Sequence, residues 1–256
     1  MLPMKCSILV IGSLLWEDGP KEAWRQDRLR LLDRQTVRAP IRYSRRSTTW
    51  ANTFTMVLDP AVPAGRAFLV PSVREVETIE DLVDEAEALW RAERNQTAGS
   101  GICAEWGCVG ALFRGDLDDA RIVNGWSQHF RSACAPTAPV RQNGTLGIAW
   151  PVSVTDGTPV AADVILATAT QAEVSRPTSD QIADAWIKQD QGHERYFFLN
   201  VQNGIRTADD QWIAQRMLTC PPTWMGSDSY ARVLTSLASK VDLDRSTQVE
   251  DRPPWS

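Results

Sequence analysis

Thr53-Phe-Thr-Met-Val-Leu-Asp-Pro-Ala-Val-Pro-Ala-Gly-Arg-Ala-Phe-Leu-Val70 is the stretch on which the fold reading turns. Two short runs rich in apolar and β-favouring residues, Thr53 to Leu58 and Arg66 to Val70, flank Asp59 to Gly65. The two prolines and the glycine of that middle segment mark a turn, so the spacing predicts a hairpin. A second strand pair is predicted from Leu146 to Val154 and Val160 to Thr168, which flank Thr155-Asp-Gly-Thr158, a strong hairpin signal. Cys6 to Ile11 reads as a buried strand ending in Gly-Ser, and Cys108 to Phe113 as a further strand.

Helical periodicity is predicted over Glu77 to Arg94, Asp116 to Ala133, Ser179 to Gln189, Thr207 to Met217 and Ser229 to Lys240. Strands outnumber helices and hairpins dominate the connections. The pattern predicts an α+β domain with flanking helices on a mixed, mostly antiparallel sheet closed into a β-barrel.

Composition bounds the classes. The 256 residues are 43% hydrophobic and 23% charged, enough for a sizeable core. The net charge of −5, with both signs interspersed, argues against nucleic acid as the main partner. No apolar run approaches the length of a membrane span, and the opening residues do not read as a signal peptide. Five scattered cysteines, an odd number, fit a reducing compartment, so a cytoplasmic protein is expected. The eleven tryptophans share no spacing and are expected in the core and at its rim. No cofactor fingerprint is present, and the oligomeric state is not readable.

One residue stands out on the helix after the first predicted hairpin. Ile79, Leu82, Val83, Ala86, Leu89 and Trp90 form an apolar stripe, and Glu93 continues it. Glu80, Asp81, Asp84, Glu85 and Glu87 are expected at the side or on the far face. A carboxylate on the core side costs free energy unless it is paired, protonated or functional. Beside the glycine-bearing loop Thr97 to Gly101, it is a candidate general acid/base. The plain alternative is a helix-end glutamate paired with Arg91 or Arg94.

The order of these features resembles the gamma-glutamylcyclotransferase-like family (the AIG2-like superfamily). The resemblance lies in Val10-Ile-Gly-Ser-Leu-Leu-Trp16, in Phe54 to Pro60 with Gly65 to Pro71, and in Leu89 to Glu93 with Gly99-Ser-Gly101. It continues in Val154 to Leu166 and in Asn203-Gly-Ile205 before a helix. It covers most of residues 6 to 218, so 1–218 is read as one such domain with an insertion around 114–145, and 219–256 as a helical extension and tail. The family's loop tyrosine is Ile11 here.

The resemblance implies a cyclotransferase whose partner is a small gamma-glutamyl compound. Release of an amine or amino acid would form 5-oxoproline, with Glu93 as general acid/base. It implies that Ile11, Gly12, Ser13, Leu14 and Leu15 hold the substrate, with backbone N–H groups of the turn facing an oxyanion. Two alternatives stand beside it: a non-catalytic small-ligand-binding protein on the same fold, and an amide hydrolase using a water activated at Glu93.

Among other signals, Arg42, Arg45 and Arg46 lie in Ile41 to Trp50. Arg46 is a candidate for a substrate carboxylate, although a solvated basic loop is the commoner case. Cys103 and Cys108, with His129 and His193 isolated, do not make metal-ligand spacing, and no metal is expected. A Cys103/His193 thiol hydrolase has no supporting spacing.

Overall fold

A computed structural model of the chain describes residues 3–47, 53–115, 120–173, 175–188, 195–221 and 228–239. The acidic start expected for the second helix (116–119), His193 and the tail from 240 lie outside the described residues. The strands are β1 (Cys6–Val10), β2 (Gln35–Ala39), β3 (Ile41–Ser47), β4 (Thr53–Leu58), β5 (Gly65–Pro71), β6 (Cys103–Ala104), β7 (Gly107–Phe113), β8 (Val152–Ser153) and β9 (Val164–Thr170). The helices are α1 (Pro20–Arg28), α2 (Ile79–Glu93), α3 (Ala120–Ala133), α4 (Ser179–Ile187), α5 (Arg195–Gln202), α6 (Asp210–Thr219) and α7 (Asp228–Ala238). The α+β class holds.

Seven strands form one sheet in the order β6-β7-β9-β1-β5-β2-β8, and β3 and β4 pair separately. Among the described strand pairs, only β1 and β9 run parallel. The expected barrel is absent among the described residues: the sheet is open, ending in β6 and β8, each two residues long and too short to join across.

Neither predicted hairpin forms as a strand pair. β4 takes β3 as its antiparallel partner, whereas β5 lies between β1 and β2. The reason lies in Gln35 to Ser47, which supplies two extra strands: Gln35 to Ala39 was assigned no element, and the arginines from Ile41 onward read as a loop. The turn of the second pair does close, with Ser153 N–H donating to the Thr158 carbonyl at 2.8 Å. Its returning arm, however, passes to the sheet centre. β9 is buried at all seven positions, as a strand covered on both faces must be, and it sits between β1 and β7.

Helix α2 starts at a capping box: Thr78 accepts from Asp81 N–H, and Asp81 returns the bond to Thr78 N–H. It packs on β7 and β9 and is flanked by α1 and α3. Burial of Leu82, Leu89 and Trp90 contributes about 2 kcal/mol each. The segment around 114–145 carries α3, whose Trp126 and Phe130 are fully buried.

A disulfide joins Cys103 to Cys134 at the end of α3, with a Cα–Cα distance of 5.9 Å. It runs against the reduced state expected from the odd cysteine count, and it removes Cys103 as a free thiol. No described helix is long and apolar enough to cross a membrane.

Candidate functional site

A cavity of about 650 Å³ opens where several parts of the chain converge: the turn after β1, the start of α1, the β3–β4 pair, the end of α2, Trp106, the end of β9 with the residues after it, and the start of α5. Glu93 is the last residue of α2, half-buried, and lines this cavity. Its Oε2 accepts from Thr168 Oγ1 at 3.4 Å, a long and weak contact. Arg91, one of the partners expected for a bland terminal glutamate, instead donates to the Gly99 carbonyl at 3.0 Å and lies 3.7 Å from Glu87.

Those contacts also relocate the glycine-bearing loop. Glu87 accepts from Gly101 N–H at 2.8 Å, so the loop is pinned to the flank of α2, and neither Gly99 nor Gly101 lines the cavity.

Glu93 is not the helix's most buried carboxylate. Glu85 is 2% exposed and pairs with Arg28 of α1 at 2.9 Å; Asp84 takes the same guanidinium nitrogen at 2.8 Å. Burial pushes the Glu85 carboxyl above its ordinary range, and Arg28 pulls it back in part. Glu85 therefore belongs to the α1–α2 contact, where the sequence reading had put an acid at the side or on the far face.

Residues Gly12–Leu14 form a single 3-10 turn, entered from an extended Ile11. Ile11 and Ser13 line the cavity, whereas Leu14 and Leu15 point into the core. A turn of this kind leaves its first N–H groups without partners inside the turn, so Gly12, Ser13 and Leu14 are the candidate donors. Leu15 is not one, because its N–H bonds the Gly12 carbonyl at 3.2 Å.

Gly12 has a positive φ of 59°, and a Cβ there would lie 2.5 Å from the hydroxyl of Tyr196. Only glycine fits both demands. Tyr196 comes from α5, which the sequence reading passed over. Its hydroxyl accepts from Met56 N–H at 3.1 Å, and its ring meets Trp16 edge-on at 5.5 Å. Burial pushes the phenol pKa up, the Met56 N–H opposes this, and the charge of Glu93 adds to the rise. The group stays protonated at neutral pH. A phenol thus stands over Gly12, next to Ile11. The signal for it was the run Tyr196-Phe-Phe-Leu-Asn-Val-Gln-Asn-Gly204, apolar at helical spacing and closed by Asn-Gly.

The three arginines separate. Arg42 is buried and paired with Asp59. On β3, beyond the irregularity between Tyr43 and Arg45, strand alternation puts Arg45 and Ser47 on one face and Arg46 on the other. Arg45 lies 4.3 Å over Trp106, which itself stacks on Trp90 at 4.8 Å. Arg46 is exposed at the cavity edge, its guanidinium 4.3 Å over Phe54. Stacking fixes both cations in place. Among the described residues, no group of three or more His, Cys, Asp or Glu side chains converges as metal ligands do.

Comparison with protein-family models, with curated proteins and with solved structures found no match for this chain.

Proposed function

We propose that this protein is a cyclotransferase of the gamma-glutamylcyclotransferase-like kind, releasing an amine or amino acid from a gamma-glutamyl compound and forming 5-oxoproline. The observation that carries this reading is the shared cavity: Glu93, the Gly12–Leu14 turn and Tyr196 line or border one space of about 650 Å³. The substrate's own α-amine is the nucleophile, so proximity comes largely from the substrate. Glu93 takes a proton from the α-ammonium, and the freed amine attacks the γ-carbonyl carbon. The tetrahedral oxyanion is met by N–H groups of the turn. Collapse breaks the C–N bond to the leaving amine, which receives the proton from Glu93; the ring nitrogen's second proton follows by the same carboxylate, so a neutral lactam and an ammonium are released. Tyr196, kept protonated by burial, stands beside the turn as a further polar group.

Arg45, fixed on Trp106 and on the cavity face of β3, supports an anionic substrate, as Arg46 does at the edge. The proposed partner is a small molecule, with no cofactor in the reaction. A cytoplasmic location was expected from the cysteine count; the Cys103–Cys134 disulfide weighs against that ground for it.

Incubation with a panel of gamma-glutamyl amino acids, peptides and amines, followed by assay of 5-oxoproline, tests the reading. Ring formation that disappears in Glu93→Gln is the expected result. No turnover by the wild type would leave a ligand-binding protein, and glutamate in place of 5-oxoproline would indicate a hydrolase.

A further inference from the structure

Helix α1 sets two cations under the turn that borders the cavity. Arg25 donates Nη1 to the backbone carbonyls of Leu14 and Glu17, both at 2.9 Å. It braces the loop and does not reach the cavity wall. Lys21, one helical turn earlier, does reach it: its Nζ donates to Ser13 Oγ at 2.8 Å and pairs with the Glu17 carboxylate, and all three side chains line the cavity.

Lys21 is placed at a cost. It is only 5% exposed, and lysine is seldom buried. It also sits in the first turn of α1, where the positive end of the helix dipole disfavours a cation. Glu17 offsets part of this. Packing alone does not call for an ammonium here, since an apolar stem of the same length would fill the space.

The donor count shows what the arrangement offers. An ammonium has three protons, and Ser13 and Glu17 take two. Ser13 accepts from Lys21, which has no lone pair to offer in return, so the Ser13 hydroxyl proton must go to another acceptor. One ammonium proton and one hydroxyl proton are thus left on atoms at the cavity wall.

We infer that Lys21 and Ser13 form a carboxylate subsite that selects substrates with a free α-carboxylate on the glutamyl unit. A singly charged, two-oxygen acceptor matches two donors beside a half-neutralised cation; a phosphate dianion would be repelled by Glu17. This rests on the cyclotransferase reading. Anchoring the α-carboxylate fixes the ammonium on the same carbon, whose proton Glu93 must take. Lys21 is then a specificity-determining residue, and Ser13 a direct contact.

Calorimetric titration with 5-oxoproline and with 2-pyrrolidone, the same ring without the carboxylate, tests the subsite. The wild type should bind 5-oxoproline about tenfold or more tightly than 2-pyrrolidone, as for hydrogen bonds to a charged group. Lys21→Met and Ser13→Ala should each bring that preference below about threefold. Should Lys21→Met fail to fold, Ser13→Ala carries the comparison. A wild type without the preference, whether it binds both rings equally or neither, overturns the inference, as does a folded variant pair that keeps it. A Lys21-dependent preference without turnover of any gamma-glutamyl compound leaves the subsite and sinks the cyclising reading. Turnover with a preference indifferent to both variants does the reverse.

Discussion

Glu85 and Glu93 stand two helical turns apart on α2 and meet opposite fates. Glu85 is almost wholly buried and paired: Arg28 meets its Oε1 across the α1–α2 contact, Asp84 shares the cation, and Oε2 lies buried without a hydrogen-bond partner. Glu93 is only half-buried, but its recorded hydrogen bond is a weak 3.4 Å contact with Thr168, and it faces a cavity. Depth of burial is therefore a poor guide to chemistry. A deeply buried acid tied to an arginine of the neighbouring helix is part of the scaffold; a shallower one facing open space has capacity left to act on a ligand.

Exchanging the two roles by mutation is the sharpest way to break this contrast. Glu93→Gln should lower 5-oxoproline formation on the order of a thousandfold while leaving the melting temperature within a degree or so, as for loss of a general acid/base. Equal losses of activity and stability would erase the distinction. Glu85→Ala should do the opposite: denaturant titration should show a loss of about 2 kcal/mol, because half-buried Arg28 loses its deepest charged partner and keeps Asp84 and Asp27, while kcat per folded molecule stays unchanged.

Tyr196→Phe comes next. Met56 N–H would lose its acceptor, costing about 1.5 kcal/mol, and activity should fall about tenfold with the phenol gone. Loss of stability with full activity would make the phenol mere scaffold, like Glu85.

A third buried carboxyl sharpens the comparison with the smallest effect. Asp210 is 3% exposed, is held by Thr207 and has no ion pair within 4.0 Å among the described residues. Burial raises its pKa to about 7, against the Thr207 bond and the charge of Arg206. A carboxyl raised on folding favours the folded state fully at low pH, below its unfolded value, and that contribution is lost as pH climbs through 7. Asp210→Asn should therefore flatten the pH dependence of stability and gain about 1 kcal/mol at pH 8, measured by chemical denaturation across pH 5 to 8. An unchanged profile would show that Asp210 is ionised and paired after all.

The stripe from Ile79 to Trp90 was legible because α2 packs one face on β7 and β9, and that periodicity survives into the structure. Glu85 was not, because α1 and α3 cover the sides of the helix and widen its buried arc beyond a single stripe. The strands of Gln35 to Ser47 were hidden by their arginines, whose stems and stacked guanidiniums serve in ion pairs and ring contacts. Once those strands were missed, the hairpin pairings were bound to be misassigned. Within the site, Glu93 could be proposed from helical periodicity, and Ile11 and Ser13 only from the family resemblance. Lys21 and Tyr196 could not, since only the tertiary fold carries α1 and α5 to the turn.

The approach of Tyr196 to Gly12 also has a temporal meaning. A chain that stops after Thr170 holds all nine strands and no phenol over the turn. During vectorial synthesis the sheet can assemble before α5 emerges, so the cavity is completed late. A nascent or truncated chain of that length would carry the strands and be chemically unfinished.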